Sequence, residues 1–376
     1  MKKQVLFLSF LLLLFCFNTK AQTNSSFIFE GQNRSFIVYT PASYTSGNPV
    51  PLVFVLHGLT QSGQAIMNVS NFNAVADTAG FILVYPEGIS NSWNINANLP
   101  GASTANDIGF IQALIDTISV NYSIDQNRIY SCGFSAGGFM SHMLACKSSH
   151  CFAAIASVSG TMTDSVYNTC SPSFHLPIMQ IHGTSDNIVS FNGSLGNKSV
   201  DDVINFWKNF NACNASPVIT PFPNTSLLDF SSADLYDYSP CQNNNKVALI
   251  KVNSGGHQWP GTSSLLGGLG TINMDINASA EIWKFFRNYS CNSSTQGLNN
   301  LTNEWVSLQP LSPNDYLLKG TAGNIIIQVY SSNGQLIEKQ SVSLPYSMSF
   351  ANYKSGLYLI NVQSGVHQNT FKIIRP

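Results

Sequence analysis

The chain has 376 residues, enough for one large enzyme domain and a small second domain. Hydrophobic residues make up 44% of the chain and charged residues only 9%, with a formal net charge of -1 at pH 7. Binding to nucleic acid requires clustered Lys and Arg to neutralise phosphates, so this composition argues against nucleic acid as a partner.

The first 21 residues have the pattern of an export signal. They combine a basic start at residues 2–3, an apolar run over 5–17 and a small-residue cleavage site over 19–21. The apolar run is too short to cross hydrocarbon comfortably, and no later stretch of the sequence is apolar enough to do so. We therefore predict a signal peptide over residues 1–21, secretion, and no membrane span in the mature protein.

The next segment predicts an enzyme-sized α/β domain. Residues 26–30 and 34–39 flank a turn and predict an opening β-hairpin, after which buried strands alternate with amphipathic helices. This alternation predicts a mostly parallel sheet covered on both faces. The strands are predicted at residues 52–56, 81–85, 128–132, 153–158, 178–181 and 247–252. The helices are predicted at residues 108–122, 138–145, 200–210 and 278–287.

The pattern changes near the end of the chain. Residues 292–308 are polar without apolar periodicity, which predicts a linker. Beyond it, short strands separated by Asn-Gly and Ser-Gly turns predict a small all-β module without cysteine. These strands are predicted at residues 325–330, 336–340, 347–350, 356–362 and 370–374.

Export favours disulfides in this chain. Removal of the signal leaves seven of the eight cysteines, and the odd number requires at least one unpaired thiol. Cys132 lies inside an apolar strand-like segment and is predicted to be the free, buried thiol. No close grouping of Cys and His has metal-ligand spacing, so we expect no metal and no cofactor.

Residues 133–137, Gly-Phe-Ser-Ala-Gly, match the G-x-S-x-G pattern of a nucleophile elbow. In this motif the serine lies on a sharp strand-to-helix turn, where larger side chains at the glycine positions would collide with neighbouring backbone. The turn exposes the serine oxygen and directs the N-terminus of the following helix at the reacting carbonyl. A predicted strand precedes the motif and a predicted helix follows it, which favours Ser135 as a nucleophile over a structural serine.

A serine of this kind needs an acid and a base that follow it in the order Ser, Asp, His. His257 lies in a glycine-rich loop after the strand at 247–252 and is predicted to be the base. Asp186 lies in the loop after the strand at 178–181 and is predicted to be the acid that fixes the imidazole tautomer. Asp164, in the loop after the strand at 153–158, is the rival acid.

Two other histidines have structural interpretations. His182 ends the strand before Asp186 and is expected to support that loop by hydrogen bonding. His57 precedes Ser135 in the chain, which makes it a poor base. The oxyanion hole requires two backbone N–H groups. Ala136 supplies one, and either Leu59 or Thr60, after the strand at 52–56, supplies the other.

Five ordered segments resemble the polyhydroxybutyrate depolymerase/feruloyl esterase family. Together they cover about residues 25–290. The resemblance implies an α/β-hydrolase fold and an extracellular carboxylic-ester hydrolase, with Ser135, Asp186 and His257 as its catalytic triad. The segments are residues 56–63 (LHGLTQSG), 106–116 (NDIGFIQALID), 133–146 (GFSAGGFMSHMLAC), 181–189 (IHGTSDNIV) and 255–261 (GGHQWPG).

The resemblance also implies a disulfide between Cys213 and Cys241, because family members carry one late in the domain. Trp259 looks like the family's substrate-facing aromatic residue, with packing as the alternative role, and Trp93 has a similar but weaker claim. The family acts on hydroxyalkanoate polyesters, feruloylated or acetylated xylan and small synthetic esters.

Residues from about 311 to 376 resemble a type A sorting domain of the type IX secretion system. Such domains direct passage across the outer membrane and are commonly cleaved. The matching features are residues 311–314 (LSPN), the turn at 333–334, residues 355–358 (SGLY) and a last strand ending at 372–375 (KIIR). The alternative is a polymer-binding module whose exposed tyrosines form a platform. Those tyrosines are Tyr316, Tyr330, Tyr346, Tyr353 and Tyr358.

The sequence thus predicts a secreted serine esterase with an α/β-hydrolase domain over residues 22–291, a linker over 292–308 and a β-rich, sandwich-like sorting domain over 309–376. The expected partners are an ester substrate, polysaccharide and polyester polymers included, and the type IX secretion machinery. The alternative function is a non-catalytic carbohydrate- or polymer-binding protein on a hydrolase scaffold. A peptidase is disfavoured because the sequence contains neither a propeller nor an extended lid segment.

Overall fold

The computed structural model describes residues 21–375 except 97–102, 174, 264–268, 292–305, 311–313, 321–322, 332–334, 355 and 366. The predicted signal peptide, apart from its last residue, and most of the predicted linker lie outside the described residues. The chain divides into two compact units, an N-terminal unit up to Ser293 and a C-terminal unit from Ser294.

In the N-terminal unit, strands and helices alternate after an opening hairpin. The strands are β1 (Ala21–Phe29), β2 (Gln32–Thr40), β3 (Val50–Leu56), β4 (Ile82–Pro86), β5 (Ile124–Phe134), β6 (Ala154–Val158), β7 (Ile178–Gly183), β8 (Val218–Pro221), β9 (Ser232–Asp237) and β10 (Val247–Asn253). The helices are α1 (Gly63–Ser70), α2 (Phe72–Ala79), α3 (Asp107–Asn121), α4 (Ala136–Lys147), α5 (Asp164–Thr169), α6 (Val200–Phe210) and α7 (Ala278–Phe286).

All of these strands belong to one sheet, whose order is β1-β2-β4-β3-β5-β6-β7-β10-β9-β8. The central run from β4 to β10 is parallel, and the strands at both edges pair antiparallel. Because parallel strands end at the same edge of a sheet, the loops after β3, β5, β7 and β10 meet at one edge. In open α/β sheets this carboxyl edge is where ligands bind.

The sheet is buried on both faces, which explains its apolar sequence. In β3, Leu52, Phe54 and Leu56 point into a core covered by α3, α4, α5 and α6. Val53 and Val55 alternate with them and point into a second core, covered by α1, α2 and α7. The predicted α/β architecture with helices on both faces is therefore confirmed.

Disulfides join three pairs of cysteines in the described part of the chain. They link Cys146 to Cys170, Cys151 to Cys291, and Cys213 to Cys241. The last pair is the one implied by the family resemblance. Cys132 is buried and unpaired, as predicted, and burial raises the pKa of its thiol well above the usual value. A thiol in this state is unreactive.

The C-terminal unit is built from strands in its described residues. They are β11 (Val306–Pro310), β12 (Asp315–Gly320), β13 (Asn324–Ser331), β14 (Leu336–Ser343), β15 (Tyr346–Ser349), β16 (Gly356–Ser364) and β17 (His367–Arg375). They pair antiparallel in the orders β11-β12-β15 and β14-β13-β16-β17. Side chains from both sheets, among them Leu318, Ile327 and Ile360, share one apolar core. No helix in the described residues is long and apolar enough to span a bilayer.

Candidate active site

Ser135 lies on the sharp turn between β5 and α4, with φ 53° and ψ -120°. Non-glycine residues rarely adopt a positive φ, and such strain concentrates at functional sites. The turn is possible because β3, β5 and α4 approach one another closely at positions occupied by glycine. A Cβ on Gly133 would lie 2.3 Å from the carbonyl carbon of Gly137, and one on Gly137 would lie 2.1 Å from the oxygen of Leu56. The N–H of Ser135 donates to the oxygen of Val158 in β6 at 2.8 Å, which fixes the turn.

Asp186 and His257 form a buried pair. Nδ1 of His257 donates to Oδ2 of Asp186 at 2.8 Å. This bond leaves Nε2 of the neutral imidazole as a proton acceptor, which is the tautomer a general base requires. The structure thus brings together the residues that sequence reasoning assigned as acid and base.

Three hydrogen bonds and the neighbouring His182 hold the Asp186 carboxylate in its ionised form. Oδ1 accepts the backbone N–H groups of Ile188 and Val189 at 2.9 and 2.8 Å. Oδ2 accepts from His257, and Nε2 of His182 lies 3.4 Å from it. Burial opposes ionisation, but the His182 and His257 side chains outweigh it and hold the pKa of Asp186 below its usual range.

The loop after β10 carries His257 back across the sheet towards Ser135. The imidazole packs against the ring of Phe134, the residue before the serine, with 4.8 Å between the ring centroids. Gln258, the residue after His257, accepts a hydrogen bond through its backbone oxygen from the hydroxyl of Ser159 at 3.4 Å. Ser159 directly follows Val158, which binds the elbow, so His257 and Ser135 lie in the same small region of the carboxyl edge.

The backbone N–H groups of Ala136 and Leu59 are among those near the elbow that have no protein acceptor in the described residues. That of Ala136 begins α4, where intrahelical acceptors are lacking. That of Leu59 lies in the loop after β3, whereas the N–H of Thr60 donates to the oxygen of Asn91 at 2.9 Å. Sequence reasoning could not choose between Leu59 and Thr60, and the geometry favours Leu59.

His57 supports this loop. Its Nε2 accepts the N–H of Gly88 at 3.0 Å, so its Nδ1 carries the proton that is donated to the oxygen of Gly58 at 2.8 Å. Burial lowers the pKa of His57 to about 4. The residue is therefore neutral, and its carboxylate neighbour Glu87 at 3.7 Å does not form an ion pair with it.

Both tryptophans proposed to contact substrate are buried, each with 1% of its surface exposed. Nε1 of Trp259 donates to the hydroxyl of Ser279 in α7, and Nε1 of Trp93 donates to the oxygen of His57. Trp93 also packs against the His57 ring at 4.7 Å. Their rings pack inside the protein, where a substrate cannot reach them, so the structure favours the packing role.

The other carboxylate considered for the acid lies elsewhere. Asp164 is half exposed in the first turn of α5 and pairs with Lys198 at 3.0 Å. No group of three or more His, Cys, Asp or Glu side chains that could hold a metal ion occurs among the described residues.

A parallel sheet flanked by helices, with a strained serine at a strand-to-helix turn, defines an α/β-hydrolase. Residues 34–203 match the family described as Esterase PHB depolymerase, and residues 314–375 match the Secretion system C-terminal sorting domain. The chain therefore carries a domain of the PHB depolymerase esterase family, followed by a secretion sorting domain.

Curated relatives are named as esterases. The chain is 26% identical over 231 residues to the bifunctional acetylxylan esterase/xylanase XynS20E of Neocallimastix patriciarum, covering 61% of this chain and 31% of the relative. It is 28% identical over 240 residues to feruloyl esterase B of Piromyces equi, covering 60% and 42%. The chain spans less than half the length of these two relatives.

Among solved structures, the acetyl xylan esterase from Aspergillus awamori matches with a TM-score of 0.51 and 13% identity. The match covers 71% of this chain and 99% of that structure. At this identity the likeness concerns the fold.

Proposed function

We propose that this protein is a secreted serine esterase that hydrolyses carboxylic esters through an acyl-enzyme on Ser135. The observation that carries the proposal is the buried Asp186–His257 pair at 2.8 Å, whose imidazole packs on Phe134, the residue before the strained Ser135 with φ 53°. The esterase names of the relatives support the same reaction.

In the first half of the reaction, Nε2 of His257 accepts the proton of the Ser135 hydroxyl as its oxygen attacks the ester carbonyl. Asp186 stabilises the imidazolium that forms. The N–H groups of Ala136 and Leu59 donate to the oxyanion of the tetrahedral intermediate. Collapse of the intermediate expels the alcohol, which takes its proton from His257, and leaves the acyl group on Ser135.

In the second half, His257 takes a proton from water, and the resulting hydroxide attacks the acyl carbonyl. The same two N–H groups stabilise the second oxyanion. The acid leaves as the Ser135 oxygen recovers its proton from His257, so the enzyme returns to its initial state.

The substrates we propose are esters of plant cell-wall polysaccharides, feruloyl or acetyl, or polyhydroxyalkanoates. The names of the two curated relatives support the first class, and the family description supports the second. The sorting domain supports export, for which we propose the signal peptide and the type IX secretion system. Turnover of methyl ferulate, acetylated xylan and polyhydroxybutyrate film, compared in parallel, identifies the class.

Replacing the nucleophile tests the reaction. Ser135→Ala should lower kcat for p-nitrophenyl acetate by at least about 10³-fold, because no other hydroxyl lies on the elbow. It should also abolish labelling by a fluorophosphonate probe. The matched control, Ser165→Ala on the exposed face of α5, should keep both properties. Activity of wild-type level in Ser135→Ala would remove Ser135 from the mechanism, and failure of the wild type to react with the probe would favour a binding protein.

Substitution of Asp186 and of Asp164 tests which of the two aspartates is the acid. Asp186→Asn should lower kcat by about 10³- to 10⁴-fold, because the amide no longer holds the His257 tautomer. Asp164→Asn removes only an exposed ion pair and should change kcat by less than about twofold. Steady-state kinetics of the two variants decide the matter. A large loss with Asp164→Asn alone would reassign the role.

A further inference from the structure

A chain of buried hydrogen bonds runs from α6 to His182, which lies beside the Asp186 carboxylate. Nε1 of Trp207 lies 3.1 Å from Nδ1 of His142 in α4, and Nε2 of His142 lies 3.2 Å from Oε1 of Gln180 in β7. Nε2 of Gln180 lies 3.1 Å from Nδ1 of His182, whose Nε2 is 3.4 Å from Oδ2 of Asp186. All five side chains are buried, and the mechanism above uses only the last.

The direction of the chain is fixed at its far end. The indole N–H of Trp207 can only donate, so Nδ1 of His142 must accept. The proton of the neutral His142 ring is then on Nε2, which donates to Oε1 of Gln180. Burial lowers the pKa of His142 to about 4, so the ring stays neutral around pH 7 and can both accept and donate.

Two backbone oxygens fix the same direction at the near end. The oxygen of Gly160 accepts from Nε2 of Gln180 at 2.7 Å, which orients the amide with its nitrogen towards His182. The oxygen of Val189 accepts from Nε2 of His182 at 2.8 Å. Nδ1 of His182 therefore accepts, and its Nε2–H donates to Val189, with Oδ2 of Asp186 3.4 Å from the same nitrogen. The contacts at both ends therefore require His142 and His182 to carry their proton on Nε2.

Gln180 also connects this chain to the nucleophile. A Cβ on Gly160 would lie 2.6 Å from the backbone oxygen of Ser135, so the loop that Gln180 binds packs directly on the elbow. One amide thus bridges the loop behind the nucleophile and the histidine beside the acid. A packing role alone would not require a polar side chain here, in the apolar centre of a parallel strand.

We propose that His182 is a positioning residue that gives Asp186 a second side-chain N–H, and that Gln180, His142 and Trp207 lock His182 in the donor tautomer. The inference rests on the proposed esterase function, in which Asp186 acts only through His257. The lock keeps Oδ2 directed at Nδ1 of His257 during turnover. His182 touches no reacting atom.

A double-mutant cycle on kcat tests this role. His182→Asn, whose side-chain amide reaches the position of Nδ1 and not that of Nε2, should lower kcat about tenfold with KM unchanged, an effect typical of members of one hydrogen-bond network. In an Asp186→Asn background the same change should alter the residual kcat by less than about twofold. His182→Gln, whose nitrogen falls near Nε2, should recover most of the activity. Equal losses in both backgrounds, or no rescue by glutamine, would overturn the proposal.

The tautomers are tested independently of activity. Imidazole ¹⁵N–¹H spectra of the wild type at pH 7 should give neutral His142 and His182, each with its proton on Nε2. Trp207→Phe, which keeps an aromatic ring in the core, should release His142 from a single tautomer. A proton on Nδ1 of His182 would overturn the proposal even in an active esterase. An inactive wild type with these tautomers would contradict the esterase function and retain the hydrogen-bond lock.

Discussion

Burial sets the protonation of the histidines that support the site. His57 and His142 each accept one hydrogen bond and donate another, which only a neutral imidazole can do. The pKa of each is lowered to about 4, chiefly because burial penalises the charged form. The same loss of solvation that makes these residues good structural bridges makes them sensitive to acid.

The protein should therefore lose stability as the pH falls from 6.5 to 4. An unfolded histidine has a pKa of about 6.5, so in this window the unfolded chain binds protons that the folded chain does not. Each of the two residues should lower the free energy of unfolding by about 2 kcal/mol between neutral pH and pH 5. Urea titrations at pH 7 and pH 5 measure this loss. His57→Gln should reduce the pH dependence by one residue's share, and an unchanged dependence would refute a neutral buried His57.

Sequence reasoning could propose Ser135, Asp186 and His257 because each follows a recognisable buried strand, and strand ends meet at one edge of a parallel sheet. The choice between Leu59 and Thr60 could not be made in this way. It depends on the contact of Thr60 with Asn91, a residue distant in the chain. Such contacts leave no local pattern in the sequence. The same holds for the hydrogen bond from Gln180 to the oxygen of Gly160.

At the scale of elements, the parallel strands were predicted because each is a short apolar run between turn residues. The helices α1 and α2 were missed, since each has only eight residues and polar side chains interrupt its apolar face. The antiparallel pair β8 and β9 was also missed. The four residues of β8 are exposed and one is proline, so they lack the alternation of a half-buried strand.

The end of α7 is fixed to the centre of the sheet by covalent and polar contacts. Cys291, just beyond this helix, pairs with Cys151 before β6, and its N–H donates to the oxygen of Asn127 in β5 at 2.7 Å. The disulfide closes a loop with a sequence separation of 140 residues, against 28 for the pair of Cys213 and Cys241. Long loops lose the most chain entropy on cross-linking.

Removing the long-range disulfide should therefore destabilise the N-terminal unit more than removing the short one. The chain-entropy relation gives about 5 kcal/mol for Cys151→Ala with Cys291→Ala, and about 3.5 kcal/mol for Cys213→Ala with Cys241→Ala. Denaturant unfolding of the two double variants at one pH measures both values. A larger loss for the short loop would show that local packing around Cys213 outweighs chain entropy.

At the scale of the whole molecule, each unit has a core of its own. Leu318, Ile327 and Ile360 pack with other residues of the C-terminal unit, and the proposed catalytic residues all lie in the N-terminal unit. A unit with its own apolar core satisfies the main requirement for folding alone. This separation suits a sorting signal that the proposed ester hydrolysis does not require.

A mature chain that ends at Ser293 should consequently keep the catalytic activity. We expect its kcat and KM for p-nitrophenyl acetate to lie within about twofold of those of the longer chain, because every proposed catalytic group and all three disulfides in the described residues are retained. Calorimetry of the longer chain should resolve two unfolding transitions, one for each unit. The shortened chain should keep only the transition of the N-terminal unit. A single cooperative transition in the longer chain, together with loss of activity on shortening, would mean that the C-terminal unit supports the esterase fold and is more than an export signal.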